Sequence, residues 1–256
     1  MYKRQILALG LVVEWTKAIV DLRVALLLGQ VALLAPLLLV TRAFGGRPID
    51  ALAVGPVPRG ALAIAVGGGA ALWVASAGLL SLQYIVWPPA PEILKFFQEL
   101  HQKLDLWPPW SGALSLAAIA VGPALTEEIA FRGALLGAFR RHVGDAGAVV
   151  ASAALFGLIH VVPGGYRIPF TFVLGLALGL MRLRTGSVLP GAVAHAVLNA
   201  TTVIVEARLS DHEALSPESA PLAAAVGLLA LGAAMAALFI AALPRGARAQ
   251  RGTLEA

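Results

Sequence analysis

Apolar stretches long enough to cross a lipid bilayer recur along almost the whole chain, and this leaves few folds open. A span needs about 20 mostly apolar residues. Segments 24–40, 61–87, 111–139, 146–162, 168–183, 188–205 and 221–243 approach or exceed that length. In hydrocarbon every backbone amide must be satisfied within the protein, so such segments cross as helices or close into barrels. These runs are long and lack period-two alternation, so they read as helices. The expected fold class is all-α, a polytopic transmembrane helical bundle of about seven spans, with six to eight compatible with the pattern.

The punctuation between the runs supports that division. Pro36 lies inside the first and predicts a kink. Residues 42–59 hold Gly45, Gly46, Pro48, Pro56 and Pro58 and read as a loop. Tyr84 and Trp87 end the second run, where aromatic side chains suit the membrane interface. In 92–105, Ile93, Leu94, Phe96, Phe97, Leu100 and Leu104 recur at helical spacing against Glu92, Lys95, Glu99, Lys103 and Asp105. That pattern predicts an amphipathic helix lying on the membrane. The N-terminal run 6–13 lacks a small-residue cleavage site and reads as an interfacial helix or the start of the first span. Three units follow: 1–110 with N-terminal membrane helices and the amphipathic segment, 111–206 as a core, and 207–256 with a linker, the last span and a basic tail.

Charge is scarce. Only 13% of residues are charged and none is Cys, against roughly 25% charged in ordinary soluble domains. A disordered chain, a disulfide scaffold and a Cys-ligated zinc module are excluded. The net charge of +5 comes from residues such as Arg42, Arg59, Arg140, Arg141, Arg182, Arg184 and Arg245, set between apolar runs. Charges so placed set topology or touch anionic lipid, so the expected partner is the lipid bilayer and no nucleic acid. Lys and Arg divide almost evenly between the two sides, with a slight excess favouring a cytoplasmic C-terminus. The excess of Arg over Lys, with abundant Ala and Gly, points to a GC-rich bacterial genome. The expected location is then the bacterial cytoplasmic membrane.

Scarcity makes the exceptions informative, because charges at bilayer depth are costly and mark function by default. Glu127, Glu128 and Arg132 fall in the first core segment, His160 ends the second, and His195 and Asn199 lie in the fourth. Glu128 and Arg132 are four apart and share a helix face, which allows an ion pair. Glu127 points about 100° away and need not share the arginine. A buried carboxylate without its own cation suits a general base near neutral pH. His195 and Asn199 also share a face, and His160 follows Phe156 by four. Glu127 with His160 could hold and deprotonate a water, while His195 and Asn199 could donate to a developing oxyanion. Alternatively, His160, His195 and Glu127 could bind a metal such as zinc. A structural pair at Glu128 and Arg132, and helix-to-helix hydrogen bonds at the histidines and Asn199, are the bland alternatives. Gly175 and Gly179 fit close helix packing. Phe131 and Phe156 suit a core or pocket wall, and His101, His142 and His212 receive no role.

Glu-Glu-x-x-x-Arg at Glu127, Glu128 and Arg132, Phe-x-x-x-His at Phe156 and His160, and His-x-x-x-Asn at His195 and Asn199 occur in that order. The set resembles the CPBP, or Abi, family of intramembrane proteases, which includes the type II CAAX prenyl endopeptidases and bacteriocin-related proteins. The resemblance covers about 111–205. It implies an endopeptidase acting on a peptide or membrane-protein substrate inside the membrane. By position it implies that Glu127 activates water with help from His160, that His195 and Asn199 form the oxyanion site, and that Glu128 and Arg132 support the framework. It leaves open both a zinc-dependent and a metal-independent glutamate mechanism. The competing functions are a non-catalytic membrane adaptor or immunity protein of the same fold, and a small proton-coupled transporter. The sequence fixes no oligomeric state.

Overall fold

The computed structural model describes residues 21–43, 52–102, 106–209 and 221–246. The expectations for the N-terminal run 6–13, for most of the linker with His212 and for the end of the tail lie outside the described residues. Within them the protein is all-helical. Helix α1 is Leu22–Ala43, α2 is Arg59–Val86 and α3 is Pro91–Gln102. Next come α4, Pro109–Leu116, a π-helical stretch Ala117–Val121, α5, Gly122–Glu127, a second π-helical stretch Glu128–Leu135, and α6, Leu136–Ile159. The last three are α7, Ile168–Thr185, α8, Leu189–Leu209, and α9, Leu222–Ala242.

Six helices among the described residues are long and apolar enough to cross a membrane. One of them is the continuous run Pro109–Ile159, of 51 residues. At ~1.5 Å per residue it would reach roughly 76 Å, far beyond the ~30 Å of a hydrocarbon core. It turns at Gly144, whose φ of 69° and ψ of −176° break the helix inside α6. Glycine populates this positive-φ region at little cost. Arg140 Nε and Asp145 Oδ1, 2.6 Å apart, brace the turn on its exposed side. Counted as two, the run brings the apolar segments to the seven expected from sequence.

Packing fixes the direction of each segment. Arg23 of α1 donates to the Ser111 hydroxyl of α4, and Gln30 meets Thr126 further along both helices. The α1 helix and the α4–α5 segment therefore run the same way. Antiparallel α2 and α9 meet through glycines. A Cβ at Gly78 would lie 2.6 Å from the Ala225 carbonyl oxygen, and one at Gly232 would lie 2.6 Å from Ala75 Cα. Antiparallel α6 and α7 meet the same way. A Cβ at Gly175 would approach Ala153 Cα at 2.9 Å, and one at Gly179 would approach Val149 Cγ1 at 3.0 Å.

This is the close approach that the glycine spacing predicts. Gly175→Val should therefore destabilise the protein by about 1–3 kcal/mol through overpacking. A thermal unfolding curve in detergent checks it, and an unchanged midpoint would contradict the close packing.

The bundle turns apolar groups outward. Leu28, Val31, Leu39, Val86 and Leu238 are all more than half exposed, whereas Glu128, Arg132 and His195 are buried. Water would not tolerate that inversion, but lipid favours it. The chain is an integral membrane protein with polar groups at its centre. Amphipathic α3 lies beside the bundle with Ile93 buried.

Candidate active site

The polar centre is assembled on the widened part of the long helix. Pro123 has no N–H, so it cannot bond the carbonyl of Ile119, and its ring crowds that position. The stretch before it takes the wider π register, with the Gly122 N–H reaching back to the Ala117 carbonyl. The second π stretch begins at Glu128 and contains Arg132. Its Leu136 N–H bonds the Phe131 carbonyl, which also accepts the Ser152 hydroxyl from α6 at 2.8 Å. Such π segments recur at functional sites. Here the register change carries Glu127 and Glu128 into the bundle, roughly 27 Å along the helix from Pro109.

Four charged or titratable side chains then form a line. Arg132 Nη1 stands 2.7 Å from Glu128 Oε1, and both side chains are fully buried. His195 Nδ1 lies 3.7 Å from the same Glu128 oxygen. On its other edge, His195 Nε2 lies 4.0 Å from Glu127 Oε2. Glu127 keeps 15% of its side chain accessible, whereas Glu128 keeps none. The two adjacent carboxylates are thus in different settings. Glu128 is matched by a guanidinium and closed off, while Glu127 faces an imidazole and remains reachable. The Arg132–Glu128 contact is one of charge and distance, since no aligned hydrogen bond engages the arginine nitrogens among the described residues.

Phe156 organises the rest. Its ring lies 4.3 Å beneath the Arg132 guanidinium carbon, within the range of cation–π attraction. Edge-on contacts tie it to His160 at 4.8 Å, Phe131 at 5.3 Å and His195 at 5.9 Å between ring centres. His160 ends α6, and its Nδ1 is 2.8 Å from the Phe156 carbonyl. A carbonyl only accepts, so the proton sits on Nδ1 and Nε2 carries the lone pair. His160 therefore closes the last turn of its own helix while presenting a basic nitrogen. Asn199 donates from Nδ2 to the Ile119 carbonyl at 3.4 Å. That is the carbonyl denied an N–H by Pro123, so Asn199 compensates for the proline and is held in place by it.

The small residues nearby fit this packing. A Cβ at Gly191 would fall 2.8 Å from Glu128 Oε2, and one at Gly175 would fall 3.3 Å from Arg132 Nη2. Side chains at these positions would press on the ion pair.

Metal binding was one reading of His160, His195 and Glu127. Among the described residues no three His, Cys, Asp or Glu side chains are grouped to hold a metal ion. As arranged, His160, His195 and Glu127 do not form such a group.

Arg167, in the connection before α7, also belongs to this region and was not singled out from sequence. Its charge acts on Glu127, and its guanidinium lies 5.6 Å from the Phe97 ring centre and 5.9 Å from that of Phe170. A basic residue in a short Gly-rich connection looks like an ordinary loop charge. Only the folding of that loop over the polar centre sets it apart.

Comparison with known proteins agrees with this architecture. The sequence model of the type II CAAX prenyl endopeptidase Rce1-like family matches residues 108–201. No curated protein and no solved structure matches the chain. The matched segment begins beside α4 and ends in α8, so it holds every residue of the line from Arg132 to Glu127 together with His160 and Asn199. Residues 108–201, the membrane core of this chain, are thus similar to the type II CAAX prenyl endopeptidase Rce1-like family.

Proposed function

We propose that the protein is an intramembrane endopeptidase in which Glu127 is the general base. One observation carries the reading. Of two adjacent carboxylates, Glu128 is buried against Arg132 while Glu127 alone stays accessible and faces His195. In this reading Glu127 accepts a proton from water as the oxygen attacks the scissile carbonyl carbon. His160 Nε2 accepts the water's second hydrogen bond and orients it. The tetrahedral oxyanion takes hydrogen bonds from the Asn199 amide and the His195 imidazole. Glu127 returns its proton to the departing nitrogen as the C–N bond breaks, leaving a new carboxylate and a new amine. Glu128 and Arg132 act by orienting His195.

The substrate class is a peptide or a membrane protein presenting an extended segment to the bundle interior. The test compares peptide termini from membranes of cells carrying the wild type and Glu127→Ala. Termini that disappear in the variant identify both activity and substrate. An identical set of termini in the two would refute the endopeptidase.

Asn199 gives a sharper test of roles. Asn199→Ala should lower kcat by about 10²–10³-fold if its amide serves an oxyanion. Loss of its single bond to Ile119 should cost stability only about 0.5–1.5 kcal/mol. Kinetics and unfolding on the same preparation separate the two. A large stability loss with unchanged kcat would make Asn199 a purely structural partner of the proline turn.

A further inference from the structure

The loop that carries Arg167 is fixed from several directions. Gln83 Nε2 of α2 donates to the Tyr166 carbonyl at 2.5 Å, and Trp87 tilts against the Tyr166 ring at 5.8 Å. On the other side, the Thr171 N–H and hydroxyl donate to the Arg167 carbonyl at 2.9 and 2.8 Å. The guanidinium lies near the rings of Phe97, from amphipathic α3, and Phe170, from the first turn of α7. Aromatic contact holds a guanidinium while leaving in-plane N–H groups for a ligand.

No hydrogen bond or ion pair within 4.0 Å engages that side chain among the described residues. Two carboxylates act on it from farther away, Glu127 and Glu206. Unlike those of Arg132, the Arg167 guanidinium nitrogens are not sealed inside the bundle, so they remain reachable by a ligand. Arg132 is already matched by Glu128 at 2.7 Å, so Arg167 is a cation that this ion pair leaves to meet an anion. Among the groups a peptide offers, a carboxylate matches the guanidinium fork with two parallel bonds.

We propose that Arg167 is a specificity residue that receives a carboxylate of the substrate peptide and so sets which bond lies over Glu127. The inference rests on the peptidase reading above. The carboxylate is either a C-terminal one or that of an acidic side chain, and both have the same chemistry.

The test uses wild type, Arg167→Gln and Arg167→Lys in detergent micelles. Each is given three synthetic peptide libraries: free C-terminus without Asp or Glu, amidated C-terminus with Asp and Glu, and amidated C-terminus without either. The wild type should cleave one of the first two libraries about tenfold or more faster, in kcat/KM, than the carboxylate-free library. Which of the two is preferred identifies the carboxylate. Arg167→Gln should lose most of that preference, its kcat/KM values on the three libraries falling within about threefold of one another. Arg167→Lys should keep part of the preference, as a charge without the fork.

Equal cleavage of all libraries by the wild type overturns the proposal, as does a preference unchanged in Arg167→Gln. A uniform loss on all three libraries also overturns it, since that marks a structural role. If the wild type cleaves none of them, the peptidase reading fails and this inference falls with it.

Discussion

Purified Glu127→Gln protein should lose peptide cleavage by about 10²–10⁴-fold while keeping its fold. That range is the usual contribution of a positioned general base. Glutamine preserves the shape of the side chain, and Glu127 makes no contact shorter than 4.0 Å with His195. The amide cannot accept the water's proton, so only chemistry is removed. The matching substitution Glu128→Gln acts differently. Glu128 is fully buried 2.7 Å from Arg132, and its neutral variant strands a buried guanidinium. Glu127→Gln should therefore show a wild-type unfolding midpoint with absent turnover, and Glu128→Gln a lowered midpoint. Turnover in Glu127→Gln within about threefold of wild type would overturn the assignment, because among the described residues the carboxylates beside His195 are Glu127 and the sealed Glu128.

The second large effect is on stability. Arg132→Met should destabilise the protein by roughly 3–5 kcal/mol, the cost of leaving a buried charge without its partner. Arg132 has no exposure, and Glu128 Oε1 and Oε2 have no aligned hydrogen bond among the described residues to take over its role. Replacing both partners, Glu128→Leu with Arg132→Met, should restore most of the loss. Well-packed apolar side chains of similar volume often substitute for a buried pair without penalty. Activity should not return with stability, because His195 loses the carboxylate 3.7 Å from its Nδ1. Unfolding curves and turnover on the single and double variants give four readings. A double variant as unstable as Arg132→Met would mean that Arg132 acts by packing on Phe156 rather than by pairing.

Much of the architecture is legible in the order of residues. The apolar runs and their polar breaks give the number and kind of the spans, because a bilayer demands a minimum apolar length and full backbone pairing. The four-residue spacings place Glu128 with Arg132 and His160 with Phe156, since helical geometry makes such pairs neighbours. Gly175 and Gly179 announce a close helix contact, though not which helix makes it. The turn that splits Pro109–Ile159 falls at Gly144, within the short polar segment 140–145 that separates two apolar runs.

Other features lie beyond what spacing along one helix can say. The π register around Pro123 alters which faces Glu127 and Glu128 present, and it arises from a lost N–H whose orphan carbonyl is met by Asn199, from a helix far along the chain. Nothing in the sequence near Asn199 shows that partnership. The placing of His195 between Glu127 and Glu128 depends on how α8 crosses the long helix. So does the sharing of Phe156 by Arg132, His160 and His195. Arg167 is the clearest case, a loop arginine whose position depends on α3 and α7 folding around it.

The sequence by itself determined a helical membrane bundle and the identities of its few central polar groups, because burial in lipid is a matter of local composition and helical period. Only the tertiary structure decided which carboxylate is sealed and which stays reachable. Adjacent residues on one helix share their chemistry, and only the neighbouring helices make their surroundings differ.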